Sequence, residues 1–341
     1  NEVIAIDRAS KQVTVIDSVQ GVEYTLPYDH LVLSPGAGAV LPAQPGGDRA
    51  IPMRDIEDLD RAMAWLYSKP TSAVVLGGGF IGIEVAENLV KRGMQVSLVQ
   101  RGPQLLPMLD PELAVILQQR MSASGVSLHL GQTVASFGKK TVELLDGTEL
   151  PADLVFVASG VSPETALAID AGLSLGPNGG ILVDEFQRTT DPAIYAVGDV
   201  AEKVDAITRE SKIVSLAGLA NRHGHSVANH IAGVETVPAT PALGTSIVSF
   251  DGLAAASVGM NEKTANKLGK SVRLVHTHPA NHAAYYPGAQ TMRLKLVVDP
   301  ETDLILGAQG IGGDGVDKRI DVIATAMFAG ITASNLAQLE L

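Results

Sequence analysis

Three glycines with the spacing Gly77-x-Gly79-x-x-Gly82 constrain the fold of this chain more than any other feature. The surrounding sequence is typical of a strand, a glycine loop, a helix and a second strand: AVVLG, GGFIG, IEVAENLVKRG and QVSLVQ. In such a unit the glycines allow a tight turn, a close approach of the backbone to a pyrophosphate, and close packing of the helix on the strand. The helix N-terminus then faces the anion. The pattern predicts a dinucleotide-binding loop in an α/β domain; a glycine-rich turn without a ligand is the alternative.

The end of the second strand bears on which dinucleotide is bound. An acidic residue usually holds the adenosine ribose there, but this chain has Gln100 followed by Arg101. Glutamine can still form a hydrogen bond with a hydroxyl, and Arg101 can pair with a 2′-phosphate or remain a solvated surface charge. The sequence slightly favours mixed use of the two coenzymes or tolerance of NADPH, and it leaves the preference between NADH and NADPH open.

An internal repeat predicts a second nucleotide-binding domain. Lys11–Gly36 and Lys140–Gly160 each contain a hairpin, then Leu-Pro, an Asp, an apolar strand and a glycine. Common hairpin-and-strand sequences are the alternative explanation. Gly77 precedes Lys140 by 63 residues, and the same offset from Lys11 falls before Asn1. We therefore expect the chain to be a fragment that lacks an upstream glycine loop.

A third motif runs from Thr190 to Asp199, TDPAIYAVGD. An apolar strand there leads to Gly198 and Asp199, so a carboxylate can accept hydrogen bonds from a polyol while the glycine leaves room for the ligand. The motif resembles the second FAD motif of the pyridine nucleotide–disulfide oxidoreductases, in which the Asp holds the flavin ribitol. An ordinary Gly-Asp turn is the alternative.

The resemblance to this family covers nearly the whole chain and implies further cofactor contacts. Ser34-Pro35-Gly36 stands where the family usually has Ala-Thr-Gly beside FAD, which removes the threonine contacts. The NAD(P)H loop would comprise Gly77, Gly78, Gly79, Phe80, Ile81 and Gly82. The resemblance also implies that Glu84 lies near nicotinamide and flavin, that Gly160 belongs to the nicotinamide-side turn, and that Ala217 and Asn221 lie on the helix facing the isoalloxazine ring.

The implied fold class is α/β, with nested FAD- and NAD(P)-binding Rossmann-like domains and a C-terminal α+β dimerisation domain. The expected boundaries are 1–70 and 161–235 for the FAD domain, 71–160 for the NAD(P) domain, and 240–341 for the dimerisation domain. Within the first two domains, Asp110-Pro111-Glu112 predicts a helix start with Asp110 as the N-cap. Beyond them, the sequence predicts an antiparallel sheet and a helix, with strands at 245–250, 253–258, 271–276, 291–298 and 304–311 and the helix at 316–329.

Two segments, HAAYYPGA (282–289) and GVDKRIDVIATA (315–326), resemble the coenzyme A-disulfide reductases and related NAD(P)H-dependent persulfide reductases. In those enzymes one cysteine near the N-terminus cycles with the flavin, and a tyrosine of the partner subunit assists. Tyr285, or else Tyr286, matches that tyrosine and would be catalytic; both can also be interface packing residues. The chain contains no cysteine. We therefore expect the active cysteine, the first FAD loop and the C-terminal tail to lie outside it, and this segment alone to be inactive.

The function implied for the intact protein is transfer of a hydride from NAD(P)H to FAD and onward to a disulfide or persulfide. The main alternative is an NADH oxidase or peroxidase of the same superfamily. Two further alternatives are a non-enzymatic nucleotide-binding module and an electron donor to a protein carrier. We expect a homodimer acting on a small-molecule disulfide or persulfide.

Composition argues against other classes of protein. The net charge of −12 disfavours a nucleic-acid binder, which usually carries a basic stripe. The longest apolar run, 73–83, is glycine-rich and shorter than a membrane span of roughly 20 residues. His276, His278 and His282 lie next to a helix-breaking proline, so we expect no metal site. With no cysteine for disulfides, a cytoplasmic location is expected.

Overall fold

The computed structural model describes residues 1–234 and 238–340, which form two compact units. The first unit comprises Asn1–Gly38 and Val161–Gly244, and the second comprises Ala39–Gly160 and Thr245–Leu341. The chain therefore leaves the first unit after 38 residues and returns to it at Val161. Residues 235 and 341, which the predicted boundaries include, lie outside the described residues.

The first unit combines an antiparallel sheet with a parallel pair of strands. Its core is apolar and includes Leu33, Ile181, Ile194 and Val200. Its strands are Glu2–Asp7, Gln12–Ile16, Glu23–Pro27, Leu31–Leu33, Val161–Pro163, Ile194–Ala196, Lys203–Val204 and Ser211–Lys212, and its helices are Ala166–Asp170, the 3-10 turn Gly198–Val200 and Ala217–Ile231. A short strand, Ala37–Ala39, lies where the chain passes between the units.

The N-terminal part of the second unit is built on a five-stranded parallel sheet. The central strand Ser72–Leu76 is buried along its whole length, as expected for a parallel strand covered on both faces. The strand order is Ile51–Pro52, Leu154–Val157, Ser72–Leu76, Gln95–Gln100 and Val126–Leu130. The helices are the 3-10 turn Gly47–Arg49, Ile56–Leu66, Phe80–Lys91 and Pro111–Ala123, and a separate antiparallel sheet contains Val134–Phe137, Thr141–Leu144 and Glu149–Pro151.

The C-terminal part of the second unit is an antiparallel sheet with helices. Its strand order is Ser246–Phe250, Leu253–Gly259, Ile305–Gly312, Arg293–Val298 and Arg273–Thr277, and its helices are Glu262–Lys267, Val316–Phe328 and Ala333–Leu336. The five predicted strands and the long helix are therefore confirmed. Helix Val316–Phe328 packs on this sheet, as do Phe80–Lys91 and Pro111–Ala123.

The two copies of the internal repeat have the same local structure. In each copy a three-stranded antiparallel sheet is followed by a short strand that pairs in parallel, Leu31–Leu33 in the first copy and Leu154–Val157 in the second. Both short strands lead to a glycine with positive φ, 81° at Gly36 and 125° at Gly160. This agreement supports a common origin of the two copies over a chance similarity between hairpins.

The compact units divide the chain differently from the predicted domain boundaries at residues 39–70. Ile51–Pro52 pairs with Leu154–Val157, and Ala62 packs in the same apolar core as Ile83. Phe250 of the C-terminal sheet belongs to that core as well. Residues 39–70 therefore pack with the glycine-loop sheet, and the predicted division into three domains stays a prediction.

Asp153 joins the starts of the parallel strands Leu154–Val157 and Ser72–Leu76 by side-chain hydrogen bonds. Its Oδ2 accepts hydrogen bonds from the backbone N and Oγ1 of Thr71, at 2.9 and 3.0 Å, and from the N and Oγ of Ser72, both at 3.2 Å. Lys140 lies 3.3 Å from the other carboxylate oxygen. The hydrogen bonds from Thr71, with those from Lys140 and Ser72, hold the pKa of Asp153 far below its usual value.

Replacing Asp153 by alanine is expected to lower the free energy of unfolding by about 1–2 kcal/mol at neutral pH. Because the folded-state pKa is lowered, this stabilisation is fully present above the unfolded-state pKa of about 4 and declines progressively as the pH falls from there through the much lower folded-state pKa, so it should be smaller at about pH 3 than at about pH 7. Urea unfolding of both proteins at about pH 7 and about pH 3 would measure the difference. Asp60→Ala, on an exposed helix face, is the control with little expected effect. An equal difference at both pH values would contradict the prediction.

Candidate functional site

The phosphate loop, Gly77–Gly82, requires its glycines for separate physical reasons. Gly77 has a φ of 109°, and a Cβ there would collide with the carbonyl of Ala158. A Cβ on Gly82 would collide with the carbonyl oxygen of Gly77. Gly79, the N-cap residue of helix Phe80–Lys91, has an ordinary φ of −86°, and no described atom lies within 4 Å of its Cβ position. The loop is therefore closely packed on the protein side and open at the helix N-terminus.

A cavity of about 540 Å³ lies beside this loop. It is formed at the carboxyl ends of the parallel strands Ser72–Leu76, Gln95–Gln100 and Leu154–Val157, where α/β sheets bind their ligands. Six predicted cofactor-binding residues line it: Gly77, Gly78, Gly79, Gln100, Arg101 and Gly160. The open Gly79 backbone and the helix N-terminus suit a pyrophosphate, so the residues present fit a dinucleotide.

Gln100 has a contact that the sequence did not predict. Its Oε1 accepts a hydrogen bond from the backbone N of Gly78 at 2.9 Å. The acceptor end of this side chain therefore supports the phosphate loop, whereas the predicted partner of Gln100 was a ribose hydroxyl. Arg101 is exposed and lies on the wall of the cavity.

The remaining residues of the predicted NAD(P)H set lie on helix Phe80–Lys91. Phe80 is half-buried at its start, and Gly82 is buried. Ile81 and Glu84 line a different groove of about 350 Å³, formed with residues of helix Ile56–Leu66 such as Leu59 and Met63. The structure thus places Ile81 and Glu84 outside the lining of the cavity beside Gly77.

The predicted FAD residues of the first unit lie at one edge of its parallel strands. Ala196 pairs with Leu33, and the backbone N of Val197 donates to the Leu33 carbonyl at 3.0 Å. Ser34-Pro35-Gly36 and Gly198-Asp199 directly follow these two strands, so both turns lie at the same edge. Gly36 and Gly198 have positive φ values of 81° and 77°.

Helix Ala217–Ile231 packs against the 3-10 turn that contains Gly198 and Asp199. Ala217 is its first residue, and Asn221 lies one turn further on; both are exposed. Ser34 and Pro35 line a cavity of about 710 Å³ together with Val32 and Glu164. The first unit therefore contains a strand edge with two glycine turns, a carboxylate and an adjacent cavity, features that suit a polyol-bearing cofactor.

Lys203, which the sequence did not indicate as a site residue, fixes the Gly198-Asp199 turn. Its side chain is 4% exposed, and its Nζ donates to the carbonyl oxygens of Gly198 at 2.6 Å and Ala201 at 2.9 Å. Burial lowers the pKa of Lys203, and the negative charge of Asp199 partly opposes this. The only sequence signal is a lysine two residues after an apolar stretch, which does not by itself indicate burial.

The two candidate catalytic tyrosines lie at the surface. Tyr285 is 91% exposed and Tyr286 is 63% exposed, in the segment between strands Arg273–Thr277 and Arg293–Val298. The ring of Tyr286 lies edge-on to His282 with centroids 5.5 Å apart. Both tyrosines are accessible to a further molecule, as their predicted role requires.

An ion cluster centred on the buried Lys295 and Asp110 joins the N-terminal and C-terminal parts of the second unit. The Nζ of Lys295 lies 2.9 Å from Asp110, 2.5 Å from Glu112 and 2.5 Å from Glu262. These carboxylates are close enough together to resemble a metal site, but the ammonium group lies among them. Burial alone would lower the pKa of Lys295, but the hydrogen bonds to Glu112, Glu262 and Asp110 outweigh it and raise the pKa.

Family models match both parts of the chain. Residues 1–224 match the model described as pyridine nucleotide-disulphide oxidoreductase, and residues 245–339 match the dimerisation domain of the same family. The chain belongs to this family. Its members are FAD-dependent NAD(P)H oxidoreductases, so the predicted fold class and the predicted cofactors, FAD and NAD(P)H, are confirmed.

Two curated relatives match almost the whole chain. An NADH oxidase of Methanocaldococcus jannaschii is 33% identical over 99% of this chain and 76% of its own length. A coenzyme A disulfide reductase of Staphylococcus haemolyticus is 29% identical over 100% of this chain and 77% of its own length. Both the proposed activity and its main alternative are therefore represented among the relatives.

Two solved structures share the fold closely. Reduced Bacillus anthracis CoADR-RHD has a TM-score of 0.98 and 39% identity. An NAD-dependent persulfide reductase from A. fulgidus has a TM-score of 0.96 and 34% identity. Each covers 100% of this chain, whereas this chain spans 62% and 64% of those two proteins. In the described part of the chain, every helix is too short or too polar to cross a bilayer.

Replacing Gly79 by alanine is expected to weaken NAD(P)H binding about tenfold or more, because the methyl group would stand where the loop backbone approaches a pyrophosphate. The melting temperature should change little, since the φ of Gly79 suits alanine and its Cβ position is open. Calorimetric titration with NADH and NADPH, together with thermal melts, would test both statements. Gly224→Ala, which also adds a methyl group in open space but in the other unit, is the control. An unchanged dissociation constant for Gly79→Ala would contradict the assignment of the loop.

Proposed function

We propose that the protein containing this chain transfers a hydride from NAD(P)H to FAD and passes the electrons to a disulfide or persulfide. The main support for the proposal is that the same chain contains two glycine turns of the kind that bind nucleotides. One is the phosphate loop with its 540 Å³ cavity, and the other is the Gly198-Asp199 turn beside Ser34-Pro35-Gly36. The bound nucleotides supply the redox chemistry, and the protein binds and orients them.

The proposed cofactor contacts follow the predicted sets. Residues of the phosphate loop, with Gln100, Arg101 and Gly160, would hold NAD(P)H, and Glu84 would lie towards the nicotinamide. Asp199 would accept hydrogen bonds from the flavin ribitol, and Lys203 would hold its turn in place. Ser34, Pro35, Gly36, Ala217 and Asn221 complete the FAD set. The proposed domains are 1–70 with 161–235 for FAD, 71–160 for NAD(P), and 240–341 for dimerisation.

The acceptor we favour is a coenzyme A-type disulfide or a persulfide. The solved structures with TM-scores of 0.98 and 0.96 are a CoADR-RHD and a persulfide reductase, at 39% and 34% identity, and a coenzyme A disulfide reductase is among the relatives that cover the whole chain. The exposed Tyr285 would donate a proton to a leaving thiolate across a homodimer interface. The NADH oxidase relative keeps reduction of oxygen or peroxide as the second candidate.

The intact protein is expected to oxidise NAD(P)H anaerobically when coenzyme A disulfide is supplied, and Tyr285→Phe is expected to lower that rate about tenfold or more. Flavin reduction by NAD(P)H should be unchanged in the variant, because the tyrosine would act only at the disulfide. Stopped-flow absorbance of the flavin and steady-state rates would separate the two steps. Tyr67→Phe, at another exposed tyrosine, is the control. Turnover that requires oxygen and ignores the disulfide would favour the oxidase, and purified protein without flavin absorbance would refute both.

We propose that the protein accepts NADPH as well as NADH. The strand Gln95–Gln100 ends in a neutral amide whose Oε1 is already bonded to Gly78, so the carboxylate that usually repels a 2′-phosphate is replaced. Arg101 follows directly and lies on the cavity wall. Its guanidinium can pair with a phosphate group.

Gln100→Glu is expected to lower the ratio of kcat/KM for NADPH to that for NADH by about tenfold or more, because a carboxylate repels the 2′-phosphate and still accepts from Gly78. Arg101→Ala is expected to lower the ratio in the same direction. Steady-state kinetics with both coenzymes would measure it. Gln95→Glu, the same change at the opposite and exposed end of the strand, is the control. If neither Gln100→Glu nor Arg101→Ala changes the ratio, the 2′-phosphate does not bind in this part of the cavity.

A further inference from the structure

Residues 101–110, here called the covering segment, lie against the phosphate loop. The backbone N of Leu106 donates to the carbonyl oxygen of Gly78 at 2.9 Å. The fully buried side chain of Leu105 occupies the space into which a Cβ on Gly78 would project. Arg101, Gly102 and Pro107 form part of the cavity wall. The position of the covering segment therefore decides the shape of the cavity.

The covering segment has a strained backbone and needs external support. Leu106 is 1% exposed and has a φ of 45°, in the left-handed region that residues with a branched side chain rarely adopt. Such a conformation persists only where surrounding contacts outweigh its cost, and it is frequent at ligand-binding loops. Part of the support is local, since Gln104 Nε2 donates to the Leu109 carbonyl at 2.9 Å.

Helix Pro111–Ala123 also contributes, since Leu105 N donates to Gln118 Oε1 at 3.2 Å, and further support comes from the C-terminal sheet and its first helix. Asn261 Nδ2 donates to the carbonyl oxygens of Pro107 and Met108, both at 3.1 Å. Gln309 Oε1 accepts from the backbone N of Asp110, and Gln309 Nε2 donates to Asp110 Oδ2, both at 2.6 Å. Asn261 is 7% exposed, and Asp110 and Gln309 are each 1% exposed. These bonds fix one end of the covering segment in water-excluded surroundings.

The ion cluster around Lys295 reinforces this attachment. Asp110 was predicted to cap the helix Pro111–Ala123, and it is the N-cap residue, but its carboxylate accepts from Lys295, Gln309 and the backbone N of Glu262. Burial would raise the pKa of Asp110, but these hydrogen bonds lower it, so the carboxylate stays charged. A buried ion pair adds little net stability over an apolar packing, but its hydrogen bonds are directional. The cluster therefore fixes the position of the Asp110 carboxylate rather than adding much stability.

We propose that Asn261 and Gln309 are positioning residues for the pyridine nucleotide. They hold the covering segment on the phosphate loop and so set the affinity for NAD(P)H, although every residue lining the 540 Å³ cavity comes from 42–160. The C-terminal sheet thus acts on the nucleotide cavity without contributing to its wall. This inference rests on the proposed dinucleotide site at Gly77–Gly82.

Asn261→Asp is the sharpest variant. The new carboxylate keeps the acceptor that bonds Thr264 N at 2.9 Å and Thr264 Oγ1 at 2.7 Å, so the helix Glu262–Lys267 keeps its cap. It loses both donors to Pro107 and Met108 and places negative charge beside their carbonyl oxygens. Gln309→Met is the second variant, since it removes both bonds to Asp110 at similar side-chain volume.

Both variants are expected to raise the dissociation constant for NADPH and NADH about tenfold or more, measured by calorimetry on the purified protein. In the intact enzyme KM for the nucleotide should rise while kcat changes less than about twofold. Hydrogen exchange at the Leu106 amide should become faster. Ile320→Ala is the control. Ile320 is a buried residue of helix Val316–Phe328 and packs on the sheet face that Gly310 presents, whereas Gln309 points to the other face.

Unchanged nucleotide affinity in folded Asn261→Asp and Gln309→Met would overturn the inference. An equal loss of affinity in Ile320→Ala at the same fall in melting temperature would also overturn it, because a general loosening of the sheet would then suffice. Failure of the unaltered protein to bind either nucleotide is a separate outcome that would refute the dinucleotide site itself.

Discussion

The parallel pairing of Ser72–Leu76 with Gln95–Gln100 on one side and Leu154–Val157 on the other determines where the residues of the nucleotide cavity lie. Because parallel strands end at the same edge, Gly77, Gln100 and Gly160 meet there although they are far apart in sequence. The backbone N–H groups at the start of helix Phe80–Lys91 would then provide the proposed anion site. Each predicted role in the cavity depends on this register.

The first unit uses the same arrangement at a smaller scale. Leu31–Leu33 pairs in parallel with Ile194–Ala196, and both strands lead to a glycine turn at one edge. The buried ammonium of Lys203 donates hydrogen bonds to the carbonyl oxygens of Gly198 and Ala201 and so satisfies these acceptors at that turn. In both units a parallel strand pair therefore leads to a glycine turn, as expected if the internal repeat reflects a duplicated domain.

Buried and half-buried polar side chains fix the positions of the backbone segments around the cavity of the second unit. Gln100 accepts a hydrogen bond from the backbone N of Gly78. Asn261 and Gln309, from the C-terminal part of the unit, form hydrogen bonds with the covering segment, and Gln309 bonds to Asp110 at its end. Apolar packing around Ile83 and Phe250 joins the same parts of the chain but does not fix hydrogen-bond geometry. A dinucleotide site needs its groups placed accurately, and directional bonds supply that accuracy.

The sequence by itself determined the elements: the glycine loop between strand and helix, the repeated hairpins, and the five C-terminal strands. These patterns are local, because periodicity and glycine conformation act within a few residues. Only the tertiary structure decided that Gln100 bonds to the loop, that Lys203 is buried, that Glu84 and Ile81 line a separate groove, and that the carboxylate of Asp110 bonds to Gln309, 199 residues away. The partner of a polar side chain depends on which distant segments pack against it, and sequence spacing carries no record of that packing.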